Sequence, residues 1–178
     1  MKQLSGMDVT FLNMETPTTF GHVASLNLFD ATGPGGENVL ETTKKVFLDR
    51  IGALEPLRRR LVEVPLGLDL PYWVDDPNFD IDFHVRHHAV PPPGTPQQLS
   101  EVISRIHSRP LDRSRPLWEL YVIEGIDEGR LFATFTKVHH ATVDGAAGAI
   151  MLASLLDTEP EPIPVEPVLW SAEPLPTE

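Results

Sequence analysis

Two runs of strand-forming residues, Leu117 to Ile123 and Leu131 to His139, flank a turn from Gly125 to Gly129, and the second run stops on two histidines. Such a pair predicts an antiparallel hairpin. Its second strand must deliver His139 and His140 at the point where regular pairing ends. Neighbouring residues on a strand point to opposite faces. The two imidazoles therefore cannot both face one reaction centre while the strand persists, so one is free for chemistry and the other for structure.

The rest of the chain supplies layers for that hairpin. Met7 to Met14 predicts a short helix with Asp8 near its start. His22 to Phe29 alternates, placing Ala24, Leu26 and Leu28 on one face of a strand. Val39, Leu40, Thr43, Val46, Phe47, Ile51 and Leu54 have helical spacing, with Pro56 expected to end that helix. Arg58 to Val90 reads as extended and irregular, with strand-like alternation at Phe79, Ile81, Phe83 and Val85. After the break at Pro91-Pro92-Pro93-Gly94, Thr95 to His107 predicts a helix, and Asp144 to Leu156 predicts a last one. Helices and strands do not strictly alternate, so the expected class is α+β, with helices on a mostly antiparallel or mixed sheet.

Composition limits what such a domain can do. There is no cysteine, which removes disulfides, thiolate metal sites and cysteine nucleophiles. No apolar run is long enough to span a membrane, and Met1 to Gly6 has no signal-peptide core, so a cytoplasmic location is the simplest reading. Of the formal charge of −12, residues 157–178 carry half, with six acids and no Lys or Arg. The same stretch is rich in proline and predicts an extended linker or tail, leaving 1–156 as the folded unit. The body has no strong basic field, which excludes nucleic acid as a partner. The run Arg58-Arg59-Arg60 is read as a solvated face, and Trp73 and Trp118 as core anchors. His22, His84, His87, His88 and His107 are read as surface or packing residues.

The run His139-His140-Ala141-Thr142-Val143-Asp144-Gly145 holds the parts for acyl transfer to an alcohol. A hydroxyl attacks well only when a base takes its proton, and imidazole, with a pKa of about 6.5, suits that task near neutrality. Asp144 follows His140 by four residues, and Gly145 permits close backbone approach. Amides at the start of the predicted last helix would lie near the same loop. No GxSxG element occurs, so direct transfer in a ternary complex is more natural than an acyl-enzyme. Other readings stay open at this point. The histidines could be a structural pair. His140 and Asp144 could hold a metal with His84, His87 or His88 as third ligand. Asp144 could simply cap the last helix.

The same run resembles the HHxxxDG motif of the condensation-domain and chloramphenicol-acetyltransferase-like superfamily. Leu4-Ser5-Gly6-Met7-Asp8-Val9-Thr10-Phe11-Leu12, Tyr72 to Asp80, and Pro110 to Glu119 with its Pro116-Leu117-Trp118 element resemble the bacterial wax ester synthase/acyl-CoA:diacylglycerol acyltransferase family. The resemblance covers about residues 4 to 156. It implies a chloramphenicol-acetyltransferase-like two-layer sandwich subdomain, the N-terminal half of a pseudo-two-subdomain enzyme with a channel between the halves. It implies His140 as general base, His139 as a secondary or structural histidine, Asp144 as an orienting residue and Gly145 as motif backbone. No cofactor and no metal are implied. Acyl-CoA enters as co-substrate, with diacylglycerol or a long-chain alcohol as acceptor, and no CoA-binding residue is singled out. The second subdomain is absent from this sequence, so the C-terminal half of the same enzyme is an expected partner and the chain alone is expected to be inactive. Peripheral contact with a membrane or lipid droplet stays open. Two alternatives also stay open: another HHxxxDG acyltransferase or condensation enzyme, and a non-catalytic half-domain that binds lipid or a partner.

Overall fold

The structure, a computed structural model, describes residues 1–33, 36–143, 148, 151, 153–156, 166 and 168–172. In chain order the elements are β1 (Lys2–Gln3), α1 (Gly6–Asn13), β2 (His22–Asp30), α2 (Val39–Arg50), α3 (Glu55–Arg58), β3 (Arg59–Val62), β4 (Tyr72–Asp75), α4 (Ile81–His84), β5 (Val85–Ala89), α5 (Pro96–His107), β6 (Trp118–Ile126) and β7 (Leu131–His139). A small antiparallel sheet has the order β1-β4-β3, and the main sheet has the order β2-β7-β6-β5. Only β5 runs parallel to its neighbour, which makes the main sheet mixed.

The hairpin β6–β7 is the centre of the main sheet. Its turn places Asp127, Glu128 and Gly129 at positive φ, and glycine takes the last of these without strain. β6 is buried along nearly its whole length because both faces are covered. Leu120 and Val122 join Val39, Phe47 and Ile51 of the α2 layer. The alternate residues, Tyr121 and Ile123, join Leu99, Val102 and Ile106 of α5. Each of these aliphatic side chains contributes about 1.5–3 kcal/mol on burial. α5 starts on a capping box in which the Thr95 hydroxyl accepts the Gln98 N–H and the Gln98 side chain accepts the Thr95 N–H. Losing such a cap costs about 1 kcal/mol. A third cluster, with Leu4, Leu12, Trp73, Leu117 and Ala141, joins α1 and the small sheet to the end of β7.

Lys137 is fully buried on β7, two residues before His139. Its ammonium donates to the carbonyls of Arg109 at 2.7 Å and Ile106 at 3.2 Å and faces Glu119 at 3.4 Å. A cation at the C-terminal end of α5 satisfies carbonyls that the helix leaves unpaired. It also ties that helix to the strand that carries the histidines.

Four sequence expectations change. Pro56 does not end a helix but sits in the first turn of α3, where its missing N–H is no loss. The alternation from Phe79 to Val85 is not one strand. The Asp80 side chain accepts the Asp82 N–H and starts the single turn α4, and the strand begins only at Val85. Ahead of β5 the irregular stretch contains two further strands, β3 and β4, paired with each other over four residues. Arg58, Arg59 and Arg60 are not a solvated face: they pair with Asp75, Glu55 and Asp76.

Ala24, Leu26 and Leu28 do share one face of β2, but that face is open, with Leu26 44% and Leu28 55% exposed. Trp73 and Trp118 are both buried. His84 is fully buried, stacked on Trp118 at 4.5 Å and on Phe79 at 5.3 Å. Most of the expected last helix and most of residues 157–178 lie outside the described residues. Of the latter stretch, Trp170 lies 5.3 Å below the Arg58 guanidinium and meets Phe79 edge-on. Among the described residues no helix is long and apolar enough to cross a membrane.

Candidate active site

β7 ends at His139, whose N–H still donates to the Leu117 carbonyl at 2.9 Å. The chain then leaves the sheet. The His140 N–H donates to the Gly21 carbonyl at 2.8 Å, and the Thr142 N–H turns back onto the His139 carbonyl at 2.9 Å. The two imidazoles have separate partners.

His139 is 1% exposed. Its Nδ1 lies 3.0 Å from the Ala141 N–H, and its Nε2 lies 3.2 Å from Glu15 Oε1. A backbone N–H can only donate, so Nδ1 must be the bare nitrogen and Nε2 must carry the proton that goes to Glu15. Burial pulls the pKa of this ring below its ordinary value, although the Glu15 charge opposes that shift. His139 is therefore neutral with one defined tautomer. For Glu15, burial acts to raise the pKa. The Gly21 N–H bond and the bond and charge of Arg113 win, and the carboxyl lies below its usual range.

Gly21 is needed at this contact. A Cβ added there would stand 2.9 Å from His139 Nε2 and 3.2 Å from the Phe11 carbonyl. Any larger residue would push the ring or the backbone aside.

His140 is half-buried and stacked on Phe11, with ring centroids 4.1 Å apart and 22° between planes. Its Nδ1 is buried and has no hydrogen-bond partner among the described residues. The loop that follows it, Ala141 to Val143, forms one wall of a cavity of about 520 Å³, with Leu4, Asp8 and Trp73 on other walls. That is within the size range of small-molecule sites. A second, apolar cavity of about 210 Å³ lies between β2, β7 and α2, lined by Phe29, Phe47, Phe132 and Thr134 among others.

Of the four residues singled out from the sequence, the structure places His139 and His140 side by side with different partners. Asp144 and Gly145 lie outside the described residues. Among the described residues no group of three or more His, Asp or Glu side chains could hold a metal ion. Glu15, Gly21, Phe11 and Arg113 complete the surroundings of the histidine pair. Phe11 and Arg113 fall inside recognisable segments, but nothing in their spacing points to the histidines.

Comparison with known proteins gives one consistent result. The family described as the wax ester synthase/diacylglycerol acyltransferase catalytic domain matches residues 4–178. A candidate diacylglycerol O-acyltransferase of Mycobacterium tuberculosis is 36% identical over 178 residues, covering 99% of this chain and 37% of the relative. Another from that organism is 42% identical over 169 residues, covering 94% of this chain and 34% of the relative. The chain thus spans about a third of the length of these relatives. Among solved structures, the wax ester synthase/diacylglycerol acyltransferase of Marinobacter aquaeolei VT8 superposes with a TM-score of 0.76 at 32% identity, covering 94% of this chain and 41% of that one. The starter condensation domain of rhizomide synthetase superposes with a TM-score of 0.62 at 15% identity over 86% of this chain and 37% of that domain, a likeness of fold.

Proposed function

The chain belongs to the wax ester synthase/diacylglycerol acyltransferase family, and from that premise we propose that it carries the general base of an acyl-CoA-dependent O-acyltransferase. His140 is the base. Its imidazole takes the proton of the acceptor hydroxyl as the oxygen attacks the thioester carbonyl. The tetrahedral intermediate then collapses, the C–S bond breaks, and the CoA sulfur leaves with the proton returned by His140. No acyl-enzyme forms. The acyl group is long-chain and the acceptor is diacylglycerol or a long-chain alcohol, giving triacylglycerol or wax ester. His139 is structural, Asp144 orients the loop, and Gly145 gives it room.

The observation that carries this reading is the division of labour between the two rings. His139 is buried, neutral and bonded at both nitrogens. His140 stands just beyond the strand, half-buried, in the loop whose continuation lines the 520 Å³ cavity.

The chain supplies half of the site in this reading, and the C-terminal half supplies the rest. The open apolar face of β2 and the chain's share of its relatives' length both support a missing neighbour. The test is to incubate palmitoyl-CoA with diacylglycerol, hexadecanol and an alkyl amine, using this chain with and without the C-terminal half added in trans. Ester formation only when both halves are present is the expected result. Amide formation alone would remove the O-acyltransferase assignment, and full activity of the 178-residue chain by itself would remove the half-site reading.

A further inference from the structure

Glu15 stands in the turn after α1, far in sequence from the histidines, and its carboxylate collects three donors. Oε1 accepts the Gly21 N–H at 2.8 Å and His139 Nε2–H at 3.2 Å, and Oε2 accepts Arg113 Nη2 at 2.8 Å. Arg113 also donates to the Leu12 carbonyl at 2.6 Å, which ties the cluster to the end of α1. Two of these contacts lead to His140 by one further bond. The Gly21 carbonyl accepts the His140 N–H at 2.8 Å, and His139 Nδ1 accepts the Ala141 N–H at 3.0 Å. The backbone on both sides of the His140 ring is therefore held through residues that Glu15 holds.

We propose that Glu15 is a positioning residue for His140: its carboxylate fixes His139 in the Nε2–H tautomer and anchors Gly21, and these two bonds set where the His140 ring stands. The proposal rests on the reading of His140 as the base. The chemistry explains the need for a carboxylate. It can accept all three donors, whereas a glutamine amide with its oxygen at the Oε1 position keeps the Gly21 and His139 bonds and fails only Arg113, so the discriminating change removes both oxygens. Glu15→Met thus keeps the length and removes every acceptor. Once His139 Nδ1 is protonated it faces the Ala141 N–H donor to donor, and the turn beneath His140 loses its fixed form. A displacement of about 1 Å at a catalytic group costs on the order of 100-fold in rate.

The test has two arms. In the first, nitrogen-resolved NMR of the histidine rings in the 178-residue chain reads the His139 tautomer directly and does not depend on activity. The wild type should show a neutral Nε2–H ring, and Glu15→Met, which offers no acceptor, should show a mixture of the two neutral tautomers. A wild-type Nδ1–H ring, or an unchanged ring in Glu15→Met, would overturn the proposal whatever His140 does. In the second arm, turnover is measured with both halves of the enzyme present. Glu15→Met should lower kcat by about 10- to 100-fold with KM changed less than about threefold. Arg113→Gln, which leaves the bonds to His139 and Gly21 intact, should lower kcat less, and the double variant should be no worse than Glu15→Met alone. Wild-type kcat in Glu15→Met, or losses that add in the double variant, would overturn it. Loss of the tautomer with unchanged turnover in His140→Ala would instead sink the assignment of the base.

Discussion

The His139 imidazole and the Glu15 carboxylate meet at 3.2 Å although 124 positions separate them in the chain. That contact makes the first histidine of the pair a neutral donor and leaves the second as the ring without a fixed partner at Nδ1 among the described residues. The proposed assignment of chemistry to one ring and support to the other builds on it.

Replacing His139 with alanine should therefore be mainly a stability lesion. It leaves the Ala141 N–H and the Glu15 carboxylate without their partner, and it empties a buried site. We expect a loss of about 2–4 kcal/mol in urea unfolding. Turnover of the folded fraction should fall less than in His140→Ala. A larger kcat loss at His139 than at His140 would reverse the roles.

Much of this arrangement was legible in the sequence. The hairpin, the strand His22–Asp30 and the helix Pro96–His107 were readable because each has a clear period and strong boundary residues. The special place of the histidine pair followed from the end of β7. Glu15 was not readable, because its partners come from three distant segments and no local pattern marks a carboxylate that caps a remote imidazole. The same limit applied to Arg58, Arg59 and Arg60, which look like a surface run until β4 brings Asp75 and Asp76 beside them. The short turns α3 and α4 were misread because Pro56 and Asp80 can end one element or begin another, and only the packing decides.

Acid should destabilise the fold through His84. Burial lowers its pKa from 6.5 to about 4, against the bond from Nδ1–H to the Trp118 carbonyl. The folded state thus favours the neutral ring. Stability is full above the unfolded pKa near 6.5 and is lost as pH falls toward 4. The shift corresponds to about 3 kcal/mol. His139, also shifted down, acts in the same direction. Urea midpoints at pH 7.5, 5.5 and 4 should fall in that order. His84→Asn, which keeps a donor for Trp118, should start lower and show a flatter slope, and an equal slope would assign the acid sensitivity elsewhere.

Strong chelators should leave activity intact. The proposed reaction uses imidazole and no bound cation, and the sequence offers no thiolate ligand. The assay is acyl transfer after dialysis against EDTA, with zinc added back. Loss on chelation with recovery on zinc would favour a metal held by His140.

The central claim is that His140 removes the acceptor proton, and turnover of His140→Ala tests it most directly. The measurement is single-turnover acyl transfer from acyl-CoA to an alcohol, with both halves present and folding checked by circular dichroism. Loss of a general base removes at least about 100-fold in rate. The account predicts a fall of that size in the chemical step with acyl-CoA affinity changed little. A correctly folded His140→Ala enzyme that transfers the acyl group at the wild-type rate would contradict it.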